Sequence, residues 1–216
     1  MKHTHTHYIY ASFALLLFVA LGYMVKFYPE ALTGFDSNIQ TWVRGDLPGG
    51  LTAFFKMITT LGNTSVQAVI AILAVIWLYL RQYKAEAIFV GTSGVLASIM
   101  IMSLKYIYQR PRPSITHLVH AGGYSFPSGH SLGTFMILGA IAIVLTQRLV
   151  KKAAKTAVYG ITGLLIFLVG LSRIYVGVHY PTDVLAGFTL AFGLLNAIYP
   201  TYDRIRFEWR FQSKQK

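Results

Sequence analysis

Between residues 8 and 199 one apolar run follows another, and several approach the ~20 residues that a helix needs to cross a bilayer, with short polar joints between them. Backbone polar groups find no partner in hydrocarbon, so such runs are stable as helices that satisfy their own hydrogen bonds. We read residues 1–216 as one membrane domain, an all-α polytopic protein with six transmembrane helices. The crossings are placed at about 8–28, 65–80, 85–108, 131–149, 154–175 and 182–199. Tyrosines at both ends of the first run suit the interface. A polar tail, Met1 to His7, precedes it, and a basic tail, Tyr202 to Lys216, follows the last crossing.

The stretch from Pro29 to Asn63 is polar and rich in turns. Within it Phe35, Ile39, Trp42 and Val43 recur at helical spacing, as do Leu51, Phe54, Phe55, Ile58 and Leu61. These are expected to be two short amphipathic helices lying on the bilayer surface between the first and second crossings. They are also the expected gate for a lipid.

Composition narrows the function. Hydrophobic residues make up 55% of the chain and charged residues 12%, with a formal net charge of +12. In a membrane chain that excess reflects cytoplasmic loops and anionic lipid rather than nucleic acid. There is no cysteine, which excludes disulfides and thiolate metal sites. With the N-terminus inside, twelve Lys and Arg fall on the inner side and seven on the outer. The bias puts both termini in the cytoplasm and the protein in the plasma membrane.

Three clusters then fall at the outer ends of the crossings. Lys105 ends one crossing, and Arg112-Pro113 follows seven residues later in a proline-stiffened turn. Two cations meeting at a membrane edge suit a polyanion, although a plain positive flank would read the same way. Phe126-Pro127-Ser128-Gly129-His130 opens the next crossing. Ser128 and the free N–H groups of the first turn form an anion cradle, with His130 beside it as a proton donor; a plain serine cap is the alternative. His117 and His120, in the loop before it, read as ordinary loop residues. The last cluster is Ser172-Arg173 with His179 and Asp183, where Pro181 starts a helix. Asp183 can fix the tautomer of His179 and leave the other ring nitrogen bare as a nucleophile or base. Arg173 offers a planar fork for phosphate oxygens. A helix-end arginine beside a satisfied His–Asp pair would look the same in isolation.

Taken together, these residues resemble the three-part signature of the type 2 phosphatidic acid phosphatases, and the layout is similar to small bacterial members of the phosphatidylglycerophosphatase B and undecaprenyl diphosphatase types. The resemblance implies a phosphoric ester or anhydride hydrolase that acts on a membrane lipid phosphate. In it His179 attacks phosphorus and forms a phosphohistidine, Asp183 orients His179, and His130 protonates the leaving group and then activates water. Lys105, Arg112, Ser128, Gly129 and Arg173 hold the oxygens. Arg110 lies outside the signature. No cofactor or metal is expected, because three fixed cations can neutralise the phosphoryl group, and activity should survive a chelator.

The signature is shared with vanadium haloperoxidases, but those resemble soluble proteins. A transporter would hold its charges at the midplane rather than at helix ends. A site at the membrane edge favours a phosphate on a lipid anchor. Phosphatidylglycerol phosphate is the leading expectation and undecaprenyl diphosphate the next, with a broad specificity for phosphatidate and diacylglycerol pyrophosphate as a further alternative, since no residue in the sequence selects among them.

Overall fold

Helices form where the apolar runs lie, and they end where proline, glycine or asparagine interrupts them. The computed structural model describes residues 4–215. Among these are eight helices: α1 (Thr4–Phe27), α2 (Pro29–Arg44), α3 (Gly49–Thr60), α4 (Thr64–Leu80), α5 (Lys84–Tyr108), α6 (Gly129–Thr146), α7 (Lys152–Tyr175) and α8 (Pro181–Phe211). Five of them are long and apolar enough to span a bilayer, and α3 with α4 makes a sixth candidate if the bent pair counts as one span. The chain is a multi-pass membrane protein. Its core is sealed around α6 and α8, where Leu132, Met136, Ala140, Ala186 and Leu190 are buried. Leu16 of α1, Leu73 of α4, Val95 of α5 and Leu164 of α7 stay exposed on the outside of the bundle, where lipid tails replace water as the solvent.

Four sequence expectations change. The N-terminal tail is helical from Thr4 onward, while Met1 to His3 lie outside the described residues. His7 belongs to the helix bundle: its Nδ1 is 2.8 Å from Asn196 Oδ1 and its ring is 4.5 Å from Tyr199. The last crossing does not stop at 199. It runs through Pro200 to Phe211, because Tyr202 stacks on Phe89 at 4.2 Å and Arg206 pairs with Asp203 at 2.9 Å. Lys216 lies outside the described residues.

The third change concerns α3, which is not a free surface helix. It meets α4 at a bend of 49° and packs against α7. There Phe55 lies 4.4 Å from Tyr175, and Thr52 Oγ1 lies 2.8 Å from Tyr175 Oη. The fourth concerns α2, whose apolar stripe points outward. Trp42 is 84% exposed, while Leu32, Asp36 and Gln40 form the buried face. A helix lying on lipid presents its apolar residues to the bilayer, so the inward face is free to be polar.

The connectivity sets four helix termini at one end of the bundle: the C-termini of α5 and α7 and the N-termini of α6 and α8. The segment from Gln109 to Ser128 crosses this end. Gln109 turns left-handed (φ 49°) after α5, and its N–H donates to Lys105 O at 3.0 Å. Phe126 then plugs the segment into the core between Phe18 and Tyr108.

Candidate active site

The loop between α7 and α8 is built to turn sharply within the protein. Gly177 has φ +82°, a conformation that costs glycine little, and a Cβ there would run into the Arg44 guanidinium and Thr116 O. Arg44 holds the loop from outside, donating to Tyr175 O at 3.1 Å and Thr116 O at 2.9 Å. The turn delivers His179, only 2% exposed, to the start of α8. There the carboxylate of Asp183 accepts from Tyr180 N at 2.9 Å and faces His179 Nδ1 at 3.2 Å.

That contact settles the tautomer. Arg112 Nη1, which can only donate, lies 3.3 Å from His179 Nε2. Nε2 therefore presents its lone pair, and the proton sits on Nδ1 facing Asp183. Burial, followed by the positive charges of Arg173, Arg112 and Lys105, holds the His179 pKa well below the usual imidazole value. This favours the neutral ring at physiological pH.

The other helix starts close around it. Ser128 N donates to Asp183 O at 3.0 Å, tying the start of α6 to the start of α8. Gly187 permits this approach, since a Cβ there would lie 2.9 Å from Ser128 O. His130, on the first turn of α6, has its Nε2 3.1 Å from Asn63 Oδ1, in the break between α3 and α4.

Three cations converge on the same space. Arg112 is anchored by donating to Gly122 O at 2.8 Å, Gly123 O at 3.0 Å and Val178 O at 2.7 Å. Lys105 Nζ donates to Tyr124 O at 2.7 Å. Arg173 Nη1 donates to Thr59 Oγ1 at 2.6 Å, and its buried Nε has no hydrogen-bond partner. Among the described residues none of the three forms an ion pair with a carboxylate. Buried cations without counter-charges are costly unless an anion completes them.

A cavity of about 830 Å³ joins these groups. Lys105, Arg112, Gly129, His130, Arg173 and His179 line one end of it. From there it continues as an apolar groove between α4 and α5, past Ala68, Ala71 and Val75 on one side and Gly91, Gly94 and Val95 on the other. Both imidazoles thus face one space.

Of the sequence-predicted residues, Ser128 is placed differently from expectation. Its hydroxyl is fully buried behind the wall, accepting from Ser131 N at 3.3 Å and Ser131 Oγ at 2.9 Å, so it caps α6 and the cavity sees Gly129 instead. Asp183 likewise sits behind His179, facing its Nδ1. His120, read as an ordinary loop residue, lines the cavity, whereas His117 only meets Pro113 O at 2.9 Å. Sequence reading missed Thr59 and Asn63, which reach the site from the α3–α4 bend. The cavity lining includes no residue of α2 or α3, the segments expected to gate it: the groove runs between α4 and α5, and α2 borders a different cavity. Among the described residues no group of three His, Asp or Glu side chains is arranged to hold a metal ion.

Comparison with known proteins agrees with this geometry. The chain is 43% identical over 106 residues to phosphatidylglycerophosphatase B of Bacillus subtilis, a match that covers 49% of each chain. It is 32% identical over 133 residues to the undecaprenyl-diphosphatase BcrC of the same organism, covering 59% of this chain and 64% of that one. These matches span about half to two thirds of the relatives' lengths. The fold superposes on the crystal structure of a transmembrane PAP2 type phosphatidylglycerolphosphate phosphatase from Bacillus subtilis with a TM-score of 0.83 and 28% identity, covering 90% of this chain and 96% of that one. Residues 86–207, which carry all three clusters, match the PAP2 superfamily, and the chain belongs to that superfamily.

Proposed function

We propose that the protein is a membrane lipid phosphatase that removes the terminal phosphate of its substrate through a phosphohistidine at His179. One observation carries this reading. Three cations without carboxylate partners, Arg173 buried and Lys105 and Arg112 half-buried, meet the lone pair of His179 Nε2 in a cavity that runs on into an apolar groove. The polar end suits a phosphate and the groove suits a lipid tail.

In the first step His179 Nε2 forms a bond to phosphorus while the bond from phosphorus to the lipid oxygen breaks. The leaving oxygen takes a proton from His130, which lines the same space. Water then attacks phosphorus and gives its proton to His130, the nitrogen–phosphorus bond breaks, and His179 is restored. Lys105, Arg112, Arg173 and the free N–H groups around Gly129 offset the charge spread over the equatorial oxygens. Asp183 keeps the Nδ1 proton in place and stabilises the ring as it becomes positive.

Phosphatidylglycerophosphate is the preferred substrate in this reading, supported by the relative at 43% identity and by the superposed phosphatase. Undecaprenyl diphosphate is the second reading. It is supported by BcrC and by an undecaprenyl-diphosphatase of Sulfolobus acidocaldarius, 29% identical with 82% of this chain covered. The excess of Lys and Arg at the opposite end of the bundle supports a site on the outer face of the plasma membrane with both termini cytoplasmic.

The test is phosphate release from both lipids in detergent, with His179→Ala as the control. Wild type should release phosphate in the presence of a chelator and form an acid-labile, base-stable phosphoenzyme. His179→Ala should lose roughly 10⁴-fold or more of kcat and form no adduct. Unchanged release from His179→Ala would refute the nucleophile assignment, and the ratio of kcat/KM for the two lipids decides between the readings.

A further inference from the structure

Arg110 is buried, and it bridges two carboxylates that come from distant parts of the chain. Its Nη1 donates to Asp183 Oδ1 at 2.7 Å, and its Nη2 donates to Asp36 Oδ2 at 2.8 Å. Asp36 lies on the inward face of α2 and is only 2% exposed. It also accepts from Thr182 N at 2.9 Å and Thr182 Oγ1 at 2.8 Å, on the first turn of α8. Arg110 Nη1 reaches the same Thr182 Oγ1 at 2.8 Å, and the guanidinium stacks 3.9 Å above the Tyr180 ring. Every hydrogen-bond partner of both carboxylates is a donor, the pattern of ionised carboxylates.

The charge count gives this arrangement a purpose. A lone arginine against Asp183 would neutralise the carboxylate that His179 needs. With Asp36 added, two carboxylates share one guanidinium and the cluster keeps one formal negative charge beside the ring. We propose that Asp36 and Arg110 are positioning residues: Asp36 draws off part of the charge of Arg110, leaving Asp183 able to hold His179 and to offset the positive charge that builds on its ring as the nitrogen–phosphorus bond forms. Neither residue lines the cavity of the candidate active site; both line a second cavity of about 600 Å³ on the far side, so they act only through Asp183 and the start of α8. The inference rests on His179 being the nucleophile.

The test uses the full chain in detergent and a short-chain lipid phosphate, with folding followed by thermal unfolding. Asp36→Asn keeps the shape and removes the charge. It should lower kcat by about tenfold, with KM changed less than about twofold, the scale seen when a residue that orients a reacting group is lost. In an Asp183→Asn background the same change should cost less than about twofold, since residues that act as one unit are not additive. Equal factors in both backgrounds, or an unchanged kcat, would overturn the proposal. Should Asp36→Asn fail to fold, Arg110→Lys takes its place: it keeps the charge but cannot span both carboxylates, and the same pair of outcomes decides. If His179→Ala turns over like wild type, the nucleophile reading is what has failed. If His179→Ala is inactive while Asp36→Asn is indistinguishable from wild type, only the relay is lost.

Discussion

The two ends of the bundle use arginine in opposite ways. At the end formed by the starts of α5 and α7, Glu86 is fully buried and accepts from Arg148 at 3.0 Å and Arg210 at 3.1 Å. Arg148 also stacks on Tyr83 at 3.7 Å, and Arg206 pairs with Asp203 at 2.9 Å. At the other end, Lys105, Arg112 and Arg173 have no carboxylate partner, and the nearby carboxylates are committed to Arg110 and His179. At the first end each of these arginines has a carboxylate partner. The second carries a charge deficit that an anion would fill. The same residue type is thus paired with carboxylates at one end and without them at the other, and composition alone cannot tell the two apart.

That contrast yields three measurements. The largest effect is expected at Arg173. Arg173→Leu should cut kcat for a lipid phosphate by about 10²–10³-fold, the usual cost of losing one preorganised donor to a transition-state oxygen. Thermal stability should hold or rise, because a buried charge without a counter-ion has been removed. A large fall in stability with kcat intact would reverse the roles of the two ends. Next is Glu86→Gln, which should lower stability by about 2–3 kcal/mol, after discounting for the partial exposure of Arg148 and Arg210. Its kcat per folded molecule should stay within about twofold of wild type. A loss of activity without a loss of stability would mean that the paired end takes part in the chemistry.

The smallest effect sharpens the outer end alone. His179 faces Lys105, Arg112 and Arg173 as well as His130 and Asp183, and its pKa is lowered below the ordinary value of 6.5 mainly by burial. Its neutral form therefore persists below pH 6.5. Single-turnover phosphorylation at saturating substrate should change less than about twofold between pH 7.5 and 6, where an ordinary imidazole would lose most of its neutral form. Stability has the matching sign: the unfolded chain takes up a proton near pH 6.5 that the folded chain refuses, so stability falls as pH drops through that value. A phosphorylation rate that falls along a titration centred at 6.5 would place His179 in water.

The residues that meet at the site were legible because they fall at helix ends in runs with few competing signals. Lys105, His130, Arg173 and His179 follow from apolar length plus the charges that interrupt it. Elements governed by tertiary packing were not. Periodicity finds an apolar stripe on α2, but lipid and protein both reward apolar contact, so the stripe does not say which one it meets. It meets the outside, and Asp36 with Leu32 and Gln40 forms the face that matters. The bend between α3 and α4, which brings Thr59 and Asn63 to the site, depends on the fit of Phe55 against Tyr175, a contact between residues far apart in sequence. Ser128 shows the same limit at one atom: a serine at a helix start reads as cap or cradle, and only the neighbouring Ser131 decides for the cap.

Asp183 holds the His179 ring with its carboxylate and the start of α6 with its own carbonyl, through Ser128 N at 3.0 Å. One residue is thus a common datum for the attacking nitrogen and for the amides that would receive the phosphoryl oxygens. The spacing between that ring and those amides is therefore referenced to a single residue of the protein rather than to two separate helices.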